Sequence, residues 1–276
     1  MAVNNLVVVS DTHCGCRLGL CPPGPIVLDE GVSYTPSELQ SAVWSWWREF
    51  WDEWVPDVCR GEPFAVVVNG DALDGVHHNS VTQISQNRTD QARIALEVFE
   101  PIVERCEGRL YWIRGTEAHV GPSAQDEERL AEQLGAIPNE QGQSSRQELW
   151  IRLGGKALVH LAHHIGTSGS MHYESSALMR ELAEAYVESG RWQQEPPSAV
   201  IRSHRHRNTE VRVQTYKGFA TVCTTAGWQL KTPFAYRTAA RVATPQIGGT
   251  LVRVGDEDVY TRHFIRTLSR PQEVVL

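Results

Sequence analysis

Val7-Val8-Val9-Ser10-Asp11-Thr12-His13 is the stretch on which the reading of the fold turns. A short run of β-branched residues with polar neighbours predicts a buried parallel strand, since such strands are covered on both faces. Side chains alternate along an extended chain, so Asp11 and His13 leave the strand end on the same side. That edge of a central strand is where open α/β sheets place their ligands. Asp-x-His alone says little. Its weight comes from later strand ends that carry the same kind of group.

Two further runs of this type follow. Residues 64–68 end in Asn69-Gly70-Asp71, and residues 109–114 end in Gly115-Thr116-Glu117-Ala118-His119. Between the first two lies a Gly-, Pro- and Cys-rich loop over 14–34. Thr35-Pro36-Ser37-Glu38 then reads as a helix start, with Thr35 as cap and Glu38 three residues on. The helix is expected to reach about Val55 and to end at Pro56. Leu39, Val43, Trp47, Phe50 and Trp54 form its core stripe. Trp44, Trp46 and Trp51 flank that stripe as packing surface, or as a stacking platform or subunit contact.

A helix over about 89–106 is expected to kink or divide at Pro101. A short acidic helix over 124–134 would be capped by Ser123, and 135–147 reads as a flexible surface loop. From 148 the strands come in close succession: a hairpin over 149–153 and 157–162, then 199–203, 210–216 and 219–225, and a closing hairpin over 251–254 and 259–266. One helix, about 173–188, interrupts them. The order predicts an α/β fold in four layers, an α/β/β/α sandwich with two mixed sheets. Residues 1–276 form one domain in this reading, with a helical insertion at about 14–56 and a C-terminal hairpin at about 248–267.

With 276 residues, 41% of them hydrophobic, the chain can bury a sizeable core. The net charge of −7 argues against broad binding to a phosphate backbone, but not against a small anion held by metal ions. No apolar run has the length of a membrane span and no signal peptide is visible, so a cytoplasmic protein without a membrane partner is expected. The six cysteines fit no zinc-ribbon spacing and read as reduced, partly buried thiols.

Asp11, His13, Asp71, His119, His163, His164, His204 and His206 all fall at strand ends. Carboxylates and imidazoles gathered on one sheet edge waste hydration unless a cation joins them. Mixed Asp/His ligation without thiolate suits divalent Mn, Fe, Zn or Ni.

At these residues the chain resembles the calcineurin-like metallophosphoesterases. That family's succession of Asp-x-His, Gly-Asp-x-x-Asp, Gly-Asn-His-Asp/Glu, a strand-end His and Gly-His-x-His is met in order. Here it reads Asp11-Thr12-His13, Gly70-Asp71-Ala72-Leu73-Asp74, Gly115-Thr116-Glu117-Ala118-His119, His163-His164 and Ser203-His204-Arg205-His206. The resemblance covers residue 6 to about 230. The third block departs from the family, because the metal-binding Asn is absent; its Gly-Thr-x-x-His form resembles phage-encoded members.

The resemblance implies a metallophosphoesterase-like sandwich and two divalent ions, manganese first among the choices. Asp11, His13 and His206 would hold one ion, His163 and His204 the other, and Asp71 both, with a shared hydroxide attacking phosphorus. His119 would protonate the leaving oxygen. Alternatively His119 is itself a ligand, and the acid is His77, His78 or a water. Glu117 or Thr116 would supply the oxygen that the Asn gives elsewhere. Asp74 and His78 complete the candidate catalytic set, and His77, Arg205 and Arg207 are candidates for binding substrate phosphate. The expected activity is phosphate-ester hydrolysis, leaning to a phosphodiester in a nucleotide or nucleic-acid end. Insertions over 14–56 and 74–88 would wall the metals, Trp44, Trp46 and Trp51 offer stacking faces, and Arg202, Arg205, Arg207 and Arg212 give local positive charge. A phosphomonoesterase or protein phosphatase is the alternative, as is a catalytically silent member that binds a partner through the Trp-rich helix. A homo-oligomer through that helix is a further expectation.

Overall fold

The structure, a computed structural model, describes residues 3–29, 31–77, 80–166, 173–237, 244–255, 258–269 and 274. In chain order it begins with β1 (Asn5–Val9), a small ribbon of β2 (Ile26–Val27) and β3 (Ser33–Tyr34), and α1 (Glu38–Glu49). A π-helical turn (Phe50–Trp54) leads into α2 (Val55–Cys59), then β4 (Phe64–Asn69), α3 (Arg88–Arg105) and β5 (Leu110–Ile113). Next come α4 (Glu117–Val120), α5 (Gln125–Gln133), β6 (Ser145–Arg146), β7 (Glu148–Leu153) and β8 (Ala157–Ala162). The chain closes with α6 (Glu174–Arg191), β9 (Ala199–Arg202), β10 (Thr209–Thr215), β11 (Gly218–Thr224), α7 (Pro233–Arg237), β12 (Ile247–Val254) and β13 (Val259–Arg266).

Both main sheets are mixed. The first has the order β13-β12-β1-β4-β5-β6, parallel from β1 to β6 with the C-terminal hairpin added antiparallel beside β1. The second has the order β10-β11-β9-β8-β7, parallel only across β11-β9-β8. Alternation along β1 shows how they stack. Leu6 and Val8 join Val67, Val159, Leu161 and Ile201 in a core between the sheets. Val7 and Val9 face the other way, against Trp47, Phe50, Ile94 and Phe99 of the helical layer. On the far side of the second sheet, Leu178 and Leu182 of α6 cover Val200 and Val222. The result is an α/β/β/α sandwich. Each fully buried Val or Leu contributes about 1.5–3 kcal/mol, so a charge at Val8 would break both sheets' shared layer.

Several local expectations need correction. Ser37, not Thr35, caps α1, in a reciprocal capping box with Gln40. Leu39 is exposed rather than part of the stripe, whereas Trp51 is buried. Pro56 does not end the helix. The π turn before it carries the Val55 N–H to the Phe50 carbonyl, and the Trp51 carbonyl, which the proline at the next position of that register cannot serve, accepts from Arg105 Nη1 at 2.8 Å instead. Pro101 lies inside an undivided α3. Ser123 has left-handed φ and caps nothing, and the loop expected over 135–147 ends in β6. All six cysteines are free and buried. No helix among the described residues is long and apolar enough to cross a membrane.

Candidate metal centre

The C-terminal ends of β1, β4 and β5 meet the ends of β8 and β9 along one edge of the sandwich. Parallel pairing of β1 with β4 puts their exit turns side by side. The Asp11 N–H donates to the Gly70 carbonyl at 2.9 Å, and the His13 N–H to the Asp71 carbonyl at 3.0 Å. Within the second sheet the exits of β8 and β9 are joined by the Ser203 N–H, which donates to the His163 carbonyl at 2.9 Å. Asn69 Nδ2 crosses between the sheets to Ser203 Oγ at 2.6 Å.

Asp11, His13, Asp71, His204 and His206 all have φ between 44° and 71°. This left-handed conformation costs a non-glycine residue about 1–3 kcal/mol, and it persists only where the surroundings over-determine it. Two close approaches add to the constraint. A Cβ on Gly70, itself at φ 82°, would stand 2.4 Å from His163 Nδ1, and one on Gly115 only 2.1 Å from Asp71 Oδ1.

The side chains form two adjoining groups. In the first, His206 Nε2 lies 3.3 Å from both Asp11 Oδ1 and His13 Nε2. Asp11 Oδ1 is buried and finds no hydrogen-bond partner among the described residues. In the second, His163 Nε2 lies 3.0 Å from Asp71 Oδ2, with His204 Nδ1 3.9 Å from the same oxygen. His163 Nδ1 donates to the Asn69 carbonyl at 2.7 Å, which leaves Nε2 to face the group. Asp11, Asp71 and His163 offer donor atoms within 4.8 Å of one another, so the two groups are continuous.

Burial would raise the Asp11 and Asp71 carboxyls, but His206 beside Asp11 and His163 beside Asp71 hold both well below the usual carboxylate range. Burial in turn would lower His163, and Asp71 outweighs it, lifting the imidazole to about 10. Asp71 thus favours the protonated His163 imidazole at the place where a cation would stand. Two imidazole nitrogens 3.3 Å apart, an unpartnered buried carboxylate oxygen and an all-oxygen-and-imidazole donor set fit divalent ions.

Around this centre, Asp74 is buried behind His13, with Oδ1 3.3 Å from His13 Nδ1. Its Oδ2 accepts from Gln83 Nε2 at 2.8 Å and lies 3.6 Å from His77 Nε2. His77 packs edge-on against His119. His119 Nδ1 donates to the Asp74 main-chain carbonyl at 2.7 Å, while burial and the nearby His13 lower its pKa to about 4. The expected role of His78 lies outside the described residues.

Four groups of residues named in the sequence reading stand beside or apart from this centre. Glu117 is exposed on α4 and belongs to none of the ligand groups, whereas Thr116 Oγ1 stands 3.2 Å from Asp71 Oδ2 and 3.1 Å from His204 Nδ1. Arg205 donates to the Gly166 carbonyl, and Arg207 Nε lies 3.8 Å from Glu174 on α6, while Arg205 Nη1 and Arg207 Nε find no hydrogen-bond partner among the described residues. Arg202 and Arg212 pair with Glu181 and Asp258, which offsets the positive charge expected around the last block. Trp47 and Trp51 are spent in the aromatic core with Phe50, Phe99 and Trp228.

Sequence reasoning passed over Glu127. It is fully buried on α5, and its two oxygens accept from Ala72 N at 2.8 Å and Gly115 N at 2.9 Å, clamping the second block to the third. Burial and the Asp71 charge push this carboxyl up to about 7. Its signal was present, since Glu127, Leu130, Ala131 and Leu134 share one helical face.

No family model matches the sequence, and no curated protein matches it. Solved structures are similar in shape. Vacuolar Protein Sorting 29 from Cryptosporidium parvum is 10% identical with a TM-score of 0.37, over 97% of this chain and 100% of that one. A Vps29 double mutant from Entamoeba histolytica is 12% identical with a TM-score of 0.38, over 95% and 99%. A metallophosphoesterase from Sphaerobacter thermophilus is 10% identical with a TM-score of 0.38, over 97% and 89%. Identities and scores this low mark a loose similarity of shape alone.

Proposed function

We propose that this chain is a metal-dependent phosphoesterase that holds two divalent ions. The observation that carries the reading is the convergence of Asp11, His13, Asp71, His163, His204 and His206 from four strand ends, five of them on left-handed backbone. Asp11, His13 and His206 would hold one ion, His163 and His204 the other, and Asp71 would serve both. Such ions, when bound, stabilise charge developing on phosphoryl oxygens and activate water for attack on phosphorus.

The chain's own residues supply the rest. The Asn69 carbonyl fixes the His163 tautomer, and Asp74 steadies His13. The bond from His119 Nδ1 to the Asp74 carbonyl leaves Nε2, unprotonated in the neutral ring, as the atom that would take up a proton and pass it to the leaving oxygen. The loops after the first and second blocks are laced together beside the centre, through Cys14 with Leu73 and Cys16 with Gln83. Walls of this kind favour a slim phosphate ester over a folded protein surface. A nucleotide or nucleic-acid end remains within that class, although Arg202 and Arg212 are paired with Glu181 and Asp258, Trp51 is buried, and of the three flanking tryptophans only Trp44 and Trp46 keep half-exposed faces.

A catalytically silent, partner-binding role is the second reading, favoured by the third block, which lacks a side-chain amide and brings only the Thr116 hydroxyl beside Asp71 and His204. Metal analysis of the purified protein, followed by turnover of an aryl phosphate and its diester, separates the two. Two ions and chelator-sensitive turnover support the first reading; bound metal without turnover supports the second.

A further inference from the structure

We propose that His164 is a ligand of the second metal position, so that three imidazoles, His163, His164 and His204, compensate for the missing side-chain amide of the third block. This rests on the two-metal reading above and adds a residue to it.

Three observations carry the assignment. Neighbouring residues of a strand point to opposite faces, which would normally send His163 and His164 apart. Here β8 stops at Ala162 and the chain bends at His163, and both rings end in one group. The His164 ring centroid lies 5.0 Å from that of His163, nearly perpendicular to it, and 5.2 Å from that of His204. One donor nitrogen from each of the three rings falls within 4.8 Å of the others.

The alternatives at this place are weaker. Thr116 offers a neutral hydroxyl that already lies within hydrogen-bonding reach of Asp71, His163 and His204. Glu117 is exposed and outside the group. His164 is itself exposed, so core packing does not account for its place beside two other imidazoles. A carboxylate with three imidazoles is a nitrogen-rich set suited to cobalt or zinc.

The test uses the full-length, metal-stripped protein titrated with cobalt(II), followed by calorimetry and by visible absorption, with metal content measured after desalting. The wild type is expected to take two ions. His164→Ala, at an exposed position that leaves the core intact, should keep one ion and bind the second at least about tenfold more weakly, with an altered cobalt spectrum. Glu117→Gln should behave as wild type. Two ions at unchanged affinity and an unchanged spectrum in His164→Ala would overturn the role of His164 while leaving the two-metal reading intact. A loss of the second ion in Glu117→Gln would also overturn the assignment. Fewer than two ions in the wild type would overturn the two-metal reading as well.

Discussion

His119 is fastened to Asp74 through the main chain, its Nδ1–H donating to the Asp74 carbonyl at 2.7 Å. The bond fixes the tautomer, so the neutral ring carries its lone pair on Nε2. Asp74 meanwhile uses its carboxylate elsewhere, behind His13. One residue thus positions both the candidate proton carrier and a candidate metal ligand.

If His119 moves a proton at the leaving oxygen, its loss matters most where the leaving group is poor. His119→Ala should slow an alkyl phosphate ester by about 10²-fold or more, and a nitrophenyl ester far less. Metal content should stay at the wild-type value. Equal losses on both esters together with lost metal would make His119 a ligand instead. Equal, small losses with metal retained would remove it from either role.

The His163 imidazole, lifted to about 10 by Asp71, sets a pH dependence. The folded metal-free protein holds this proton more tightly than the unfolded chain, whose ordinary value is 6.5. Stability from the pair is therefore complete below about 6.5 and is lost as pH rises towards 10. Thermal unfolding of the metal-free protein should show that decline, and added metal should flatten it, because the ion replaces the proton. A metal-free protein whose stability is level across this range would contradict the pairing.

Glu127 clamps two turns of the centre from below. Glu127→Ala leaves the Ala72 and Gly115 amides buried without acceptors, at about 1–3 kcal/mol each. Glu127→Gln keeps one acceptor oxygen and should lose about half as much. Urea denaturation of the three proteins measures the order. Equal stability of wild type and Glu127→Ala would show the clamp to be idle.

Gly115→Ala tests the close approach of the third block to Asp71. The added methyl meets Asp71 Oδ1 at 2.1 Å and its backbone nitrogen at 2.2 Å, so the turn must shift. A cost of about 1–3 kcal/mol at the centre is expected, seen as a loss of metal affinity of about tenfold or more. Unchanged affinity would mean that the turn yields without moving the carboxylate.

Much of this is legible in the sequence. The β-branched run before Asp11, its counterpart before Asp71 and the succession of late strands carry the layers, because buried parallel strands announce themselves by composition. What stayed hidden was local compensation and distant pairing. The π turn that lets the helix pass Pro56 has no signature in residue spacing. The two residues of β6 are too few for any periodicity. Arg207 meets Glu174 and Arg212 meets Asp258 only through the fold, so a run of arginines read as local positive charge turns out to be paired. The place of His164 beside His163 and His204 likewise depends on how the chain bends after β8, a matter of space rather than sequence.

The central claim, that Asp71 serves two metal ions which perform phosphoester hydrolysis, is tested most directly by Asp71→Ala. Metal content and turnover of an aryl phosphate should be measured on wild type and variant side by side, before and after chelation, with manganese restored. The wild type is expected to hold two ions per chain, to lose turnover with chelator and to regain it with manganese, while Asp71→Ala holds neither ion and turns over nothing. Undiminished turnover by Asp71→Ala would contradict the account.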